Sequence, residues 1–377
     1  MKLCIVTPNV IKGDGQGRAN YEIVQESIRQ GHHLTLVAHS VADELLQSPQ
    51  IEWVHFKIPT VPTAFFKEVY FALCSASWLK KHQNEFDLVQ SYGAVTFGKS
   101  DVNTAQFVHT SWLKSPLHTS KSSPNLYGMY HWIRTALNGS WERQAFNDAR
   151  AVVAVSEGIR NELKDIGVPD DRIHVILNGV DLEEFTPGSM DRTSLGLPVD
   201  KTLALFAGDI KTNRKNLDTV LRALATVSEM ELVVVGNLKG SPYPDLAKQL
   251  GISDRVHFLG FRKDLPQIMW GVDLFVFPSR YEPFGMVVTE AMAAGLPVIT
   301  AASTGAAQLV TPESGIVVKD PEDMKALALA LTTLRDDRVL RQKMGAVGRE
   351  IVQQHDWKSK AQQYLMLFES MAMETAL

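Results

Sequence analysis

Short apolar runs alternate along the chain with stretches whose apolar residues recur every three to four positions, the two signatures of buried strands and of helices. In the first half the runs fall at Leu3–Val6, Leu34–Ala38, Trp53–Ile58, Leu88–Ser91, Ala105–His109, Ala151–Val155 and His174–Leu177. The second half repeats the pattern at Leu203–Ala207, Leu232–Val235, Val256–Leu259, Leu274–Phe277, Val298–Thr300 and Ile316–Val318. Helical stretches lie between most of them: one ends near Gln30, one is Glu157–Ile166, and one is capped by Asn216 with Leu217, Val220, Leu221 and Leu224 on a single face. Two more cover Asp323–Arg335 and Val339–Gln354, and the last runs from Lys358 to about Met373. Strands separated by helices predict parallel sheets with helices on both faces. Asn178–Pro187, followed by turn formers through Pro198, reads as a boundary between two such α/β domains.

Composition narrows the picture. At 377 residues the chain is long for a single core, and 45% hydrophobic with 21% charged residues is ordinary globular composition. A net charge of −4 gives no global attraction to nucleic acid, so none is expected as a partner, and membrane contact is at most peripheral. Two cysteines in apolar segments fit a reducing compartment. No apolar run is long enough to span a bilayer, and MKLCIVTP enters a strand without a signal peptide's features. The expected location is cytoplasmic, the inner face of the membrane included.

Candidate chemistry concentrates in Phe275–Val298, FVFPSRYEPFGMVVTEAMAAGLPV. The strand stops at Pro278, a polar loop carries Glu282, Phe284-Gly285-Met286 opens a helix, and Glu290 sits near its middle. N–H groups at a helix start suit a phosphate, and carboxylates accept hydrogen bonds from sugar and ribose hydroxyls. A phosphate flanked by two polyols is a nucleotide-sugar. The loop Gly208–Asn216 adds Lys211, Arg214 and Lys215 beside another helix start, a local anion site in an acidic chain. Near the N-terminus, Gly15 and Gly17 form a Gly-x-Gly loop open to a ligand or to a plain tight turn; Asn20 breaks the dinucleotide spacing and argues against a nicotinamide dehydrogenase. Ser91-Tyr92-Gly93 and Phe107-Val108-His109-Thr110 close two strands. His109 is either a site residue there or a histidine satisfied within its own loop. The aromatic stretch Val61–Leu79 reads as core, as a wall of a pocket, or as a patch touching a membrane. Lys114–Asn125 reads as a mobile loop.

Glu282 and Glu290, with seven residues between them, together with EPFGMVVTEAMAAGLPVI and NGVDLEEFTP, resemble retaining glycosyltransferases of the GT-B fold, most closely glycosyltransferase family 4. The resemblance implies two doubly wound parallel-sheet (Rossmann-like) domains facing across a cleft, residues 1–181 on the acceptor side and 182–356 on the nucleotide-sugar side, with 357–377 crossing back to the first. It implies a metal-independent front-face transfer to a hydroxyl acceptor, lipid-linked acceptors included, with a UDP- or GDP-sugar as co-substrate and no cofactor. His109, Glu282 and Lys215 take the catalytic roles. The donor is held by Gly15, Gly17, Gly208, Arg214, Lys215, Phe261, Arg262, Glu282, Phe284, Gly285, Met286 and Glu290, and the acceptor side carries Tyr92, His109, Thr110 and Lys114. Two departures stand out: Asp209 where the family has Arg, and Gln308 where it has Glu. The same cleft would also serve a nucleotide-sugar epimerase or a non-catalytic donor-binding subunit.

Overall fold

A computed structural model describes residues 1–13, 15–57 and 63–376. The chain divides into two compact units, Met1–Gly179 with Trp357–Leu377, and Val180–Asp356.

Unit 1 is built on seven parallel strands: β1 (Lys2–Val6), β2 (His33–Val37), β3 (Ile51–Val54), β4 (Leu88–Tyr92), β5 (Val102–Ala105), β6 (Ala151–Ala154) and β7 (Ile173–Val175). Their spatial order is β3-β2-β1-β4-β5-β6-β7. The central strands are buried over nearly their whole length, whereas edge strand β3 is not, and it ends at Val54 rather than running on. Ile58, assigned to that strand from sequence, lies outside the described residues, as do Asp14 of the glycine loop and Val61 and Pro62.

The helices of unit 1 that matter for function are α1 (Gly15–Arg29), α2 (Ala64–His82), α3 (His109–Lys114) and α4 (Leu126–Asp148). Gly15 and Gly17 therefore lie in the first turn of α1 and not in a loop before it. Asn20 explains part of this arrangement. Its buried amide donates to Thr7 Oγ1 at 2.6 Å and to the Asn9 carbonyl at 2.8 Å, tying α1 to the turn after β1. The strand expected at Ala105–His109 is shifted: the ladder occupies Val102–Ala105, where all four residues are buried and Val102 pairs with Ala151. His109 instead opens α3. The expected mobile loop at Lys114–Asn125 contains a second short helix, Thr119–Ser122, held by His118, whose Nε2 lies 3.0 Å from Thr135 Oγ1.

The C-terminal helix, Trp357–Ala376, completes this unit. Tyr364, Leu365, Phe368 and Met371 join Tyr21, Ile23 and Val24 of α1 in one buried cluster with the strands. Arg150 donates to the Met371 carbonyl at 3.1 Å.

Unit 2 repeats the plan with six parallel strands: β8 (Thr202–Ala207), β9 (Met230–Val235), β10 (Val256–Gly260), β11 (Leu274–Phe277), β12 (Val298–Ala301) and β13 (Gly315–Val318). The order is β10-β9-β8-β11-β12-β13. Chain order reverses direction between β8 and β11, as it does between β1 and β4 in unit 1. At such a switch point the loops leaving the two central strands diverge to opposite faces, and a crevice opens beyond the carboxyl ends. Both candidate sites lie at these two places.

Candidate functional site

In unit 2 the switch point is formed by the loop after β8, Gly208–Asn216, and the loop after β11, Pro278–Gly285. The first leads through Asn216 into α5 (Leu217–Thr226), the second into α6 (Met286–Ala293). Asn216 is the expected cap of α5 but caps it with its backbone: it sits at φ 66°, and its side-chain amide donates to the carbonyls of Pro278 at 2.9 Å and Pro321 at 2.6 Å. Ser279 Oγ donates to the Arg214 carbonyl at 3.1 Å, and the Arg280 amide donates to the same oxygen at 2.9 Å. The two loops are thus one hydrogen-bonded body.

Arg280 is its clamp. The guanidinium donates to both carboxylate oxygens of Asp218, at 2.7 and 2.8 Å, and to the Asn213 carbonyl at 2.6 Å, and it pairs with Glu322. Its side chain is 9% exposed, and these hydrogen bonds outweigh the burial that would otherwise lower its pKa, leaving it above the usual arginine range. Removing one partner of such a pair leaves the other uncompensated. Arg280→Ala should therefore cost about 3 kcal/mol in urea unfolding, and a loss within a few tenths would show the clamp to be idle.

Gly285 makes the turn into α6. It has φ 90°, and a Cβ there would stand 2.9 Å from Thr304 Cγ2 and 3.0 Å from Glu282 Cγ. Glu282 is fixed from the other side, its amide donating to the Ser303 carbonyl at 3.2 Å while its carbonyl accepts from Gly305 at 2.9 Å. The segment Ser303–Gln308 is therefore part of the loop's support, and nothing in the structure explains Gln308 itself. The Val288 amide in the first turn of α6 donates back to the Gly285 carbonyl at 3.0 Å, the Met286 and Val287 amides come before any i−4 acceptor within the helix, and Glu290 stands half-buried one turn further on.

These elements bring together Lys215 and Glu282, sixty-seven positions apart, as a direct ion pair with side chains 12% and 13% exposed. The Lys215 ammonium also lies 5.3 Å over the Phe277 ring. Burial, and after it the neighbouring Arg214 charge, pull Lys215 down to about 7 against the opposing Asp209. The Glu282 carboxylate lies in direct contact with that ammonium.

In the native chain the folded-state lysine is drawn down to about 7 while the unfolded one titrates near about 10.4. Between those values the unfolded chain holds the extra proton, so stability rises with pH across that window. Urea midpoints of the native chain should climb over this range relative to Lys215→Met, which lacks the titrating group; parallel curves would contradict the depressed lysine.

Arg214 is also half-buried, with burial lowering its pKa and Asp209 working against that. Asp209 places a negative charge close to both cations. Its carboxylate accepts from the Lys211 amide at 3.0 Å and from Thr212 Oγ1 at 3.2 Å, bracing its own loop. Lys211 is exposed. Phe261, 72% exposed, and Arg262, paired with Asp264 at 2.8 Å, stand in the turn after β10, away from the two switch-point strands in sheet order.

In unit 1 a cavity of about 480 Å³ opens beyond β1, β4 and β5. Its walls include Asn9, Gly93, Gln106 and His109, together with Lys67 and Glu68 of α2 and Arg134 and Glu142 of α4. His109 Nδ1 is 2.6 Å from Glu142 Oε2, and the Thr110 amide donates to Glu142 Oε1 at 3.2 Å. Glu142 is 1% exposed. A buried carboxylate on one ring nitrogen leaves the other nitrogen to face a ligand, and fixes how the ring is turned. Sequence reasoning identified His109 but missed Glu142, an acid within a long helix thirty-three residues on. Of the other acceptor-side candidates, Tyr92 borders the cavity, yet its ring belongs to the core, where its hydroxyl accepts from Gln90 at 3.0 Å. Lys114 is exposed at the end of α3 and does not line the cavity. Gly15 and Gly17 are outside its wall as well, although Gln16 between them lines it.

Two doubly wound sheets in tandem, with the C-terminal helix returned to the first, define the GT-B class. Residues 13–184 match the family model Glycosyltransferase Family 4, and residues 189–351 match Glycosyl transferases group 1. Each match covers a little under half of the chain, and together they run through most of both units, so both units resemble glycosyltransferases. It is 36% identical over 234 residues to a D-inositol 3-phosphate glycosyltransferase of Xylanimonas cellulosilytica, covering 56% of each chain. The match thus spans about half the length of the curated relatives. Among solved structures it is similar to a sucrose-phosphate synthase from Thermosynechococcus elongatus (TM-score 0.78, 21% identity, 98% of both chains). It is also similar to Anabaena HepE in complex with UDP and glucose (TM-score 0.72, 22% identity, 98% of this chain and 100% of that one). At these identities the likeness is one of fold.

Proposed function

We propose that the chain is a retaining glycosyltransferase that moves a sugar from a nucleotide-diphosphate sugar to a hydroxyl acceptor. The observation that carries this reading is the Lys215–Glu282 pair at the unit 2 switch point, beside the N-terminus of α6. Lys215 and the α6 amides meet the diphosphate, Arg214 adds charge from the same loop, Glu282 accepts from the sugar hydroxyls, and Glu290 accepts from the ribose. In the unliganded chain the two central groups neutralise each other. The donor exchanges that contact for two: phosphate on the ammonium and hydroxyl on the carboxylate.

In the reaction, the bond from the anomeric carbon to the phosphate oxygen breaks as the acceptor oxygen forms its bond on the same face. The acceptor's proton passes to the departing phosphate, so atoms and charge balance without a covalent intermediate. Negative charge grows on the leaving group, and preorganised donors aimed at it lower the barrier more than they tighten ground-state binding. His109, oriented by Glu142, lines the cavity that takes the acceptor. A UDP-sugar is the first donor to try, since HepE was solved with UDP and glucose.

The direct test is a panel of UDP-, GDP- and ADP-sugars in thermal unfolding. A true donor at about 100 times its dissociation constant stabilises by roughly 2.7 kcal/mol. Donor binding with transfer to an added hydroxyl acceptor supports the reading. Release of free sugar and nucleotide to water alone would favour an epimerase, and binding without any turnover a donor-binding subunit.

A further inference from the structure

Helix α4 inverts the usual arrangement of a surface helix, whose apolar stripe faces the core. Its buried positions are Gly128, Thr135, Gly139, Glu142 and Phe146, small or polar except the last. The two glycines admit neighbouring chain: a Cβ on Gly128 would meet the Ser123 carbonyl oxygen at 1.8 Å, and one on Gly139 would meet Thr110 Oγ1 at 2.8 Å. The opposite face carries Leu126, Met129, Ile133 and Leu137, recurring every three to four positions, with Trp132 at its margin. These five side chains are between 38% and 80% exposed. Helix α2, joined to α4 by the Glu68–Arg134 ion pair and by stacking of Phe65 on Trp141 at 6.0 Å, adds Phe66 and Leu73, exposed by 53% and 56%. An exposed apolar helix face of this kind marks an interaction site.

Charge says what covers it. From Val102 to Trp141 the sequence has no Asp or Glu, while Lys114, Lys121 and Arg134 lie in that stretch of a chain whose net charge is −4. Lys114 and Lys121 are exposed and adjacent, Lys121 Nζ lying 3.4 Å from the Lys114 carbonyl. A second copy of this chain would oppose like charges across a two-fold axis. An anionic lipid surface instead meets the lysines with headgroups and the leucines, Ile133 and Trp132 with its acyl boundary. No described helix is long and apolar enough to cross a membrane, so the contact is one of lying on it.

We propose that the outer face of α4, with Phe66 and Leu73 of α2, docks unit 1 on the surface of a bilayer containing anionic lipid. The same helix lends Arg134, Asn138 and Glu142 to the cavity wall, so docking sets the cavity beside the lipid headgroups. The docking itself does not depend on the transferase reading.

The test is co-sedimentation of the full chain with vesicles of equal parts phosphatidylglycerol and phosphatidylcholine, against phosphatidylcholine alone. Binding should be at least about tenfold tighter to the anionic vesicles and weaken with salt. Leu126→Ser/Met129→Ser/Ile133→Ser and Lys114→Glu/Lys121→Glu should each lower it by about tenfold or more. Leu329→Ser/Val339→Ser, equally exposed positions in unit 2, should leave it unchanged. The substituted side chains are all exposed, and circular dichroism melts check that each variant folds; the comparison of lipids with the native chain stands without them. Failure to bind either vesicle, equal binding to both, or binding indifferent to the α4 variants would overturn the proposal. So would concentration-dependent self-association lost in the triple serine variant, which would assign the face to a second copy.

Discussion

Lys215→Ala should lower kcat for sugar transfer by about 10²- to 10³-fold, the loss seen when one preorganised donor to a developing negative charge is removed. Glu282→Ala should fall in the same range, because a sugar not held by its hydroxyls spends little time aligned for attack. The pair makes a sharper statement about stability. Each single variant leaves a mostly buried charge without its counter-ion, whereas the double variant removes both. The double should therefore be at least as stable as either single variant, with strongly non-additive free energies. The Lys215 side is the milder one, since a lysine drawn down to about 7 can shed its proton instead of remaining as a buried cation. Steady-state kinetics with urea unfolding on the four chains checks both claims. Near-native turnover in both single variants would remove the assignment.

The second large effect belongs to unit 1. Glu142→Ala should reduce kcat by about tenfold to a hundredfold, a share of the 10² to 10⁴ that positioned proton-handling groups contribute. Donor affinity should stay within about twofold, because the groups Glu142 holds, His109 and the Thr110 amide, both belong to unit 1. Glu142→Gln retains an acceptor oxygen for the histidine and should restore part of the rate; a merely structural role would lower stability without splitting kcat from donor binding. If Glu142→Ala lost donor binding and turnover together while its urea midpoint held, the positioning role would be wrong.

How far these roles can be read from the chain depends on the distance over which their cause acts. The alternation of apolar runs and helical stretches is a local signal, and the strand cores of both sheets follow from it, Leu274–Phe277 and Leu203–Ala207 in particular. The acidic loop and the glycine turn before α6 were legible for the same reason: Pro278, Glu282 and Gly285 are neighbours in sequence, and the proline and the glycine each shape the backbone where they stand. The meeting of Lys215 with Glu282 is another matter. It follows from the order β8-β11 in the sheet, which periodicity does not reveal; the family resemblance alone put both residues at one site. Glu142 was invisible because a glutamate in a long helix ordinarily faces water, and its burial depends on α3 folding back across Gly139. The boundary errors have a shared origin. Ala105–His109 and Gly15–Gly17 lie where strand passes to helix, and there tertiary hydrogen bonds, such as those of Asn20, decide the register. Asp209 shows the opposite limit: its residue type departs from the family pattern, and only its contacts with Lys211 and Thr212 show what it does instead.

The most direct measurement is a crystal structure of the chain with an intact UDP-sugar bound. The diphosphate should lie within about 2.7–3.2 Å of Lys215 Nζ and of the amides opening α6, with Glu282 turned onto the sugar hydroxyls and Glu290 onto the ribose. A donor bound elsewhere on the molecule, with Lys215 and Glu282 still closed on each other, would contradict the account.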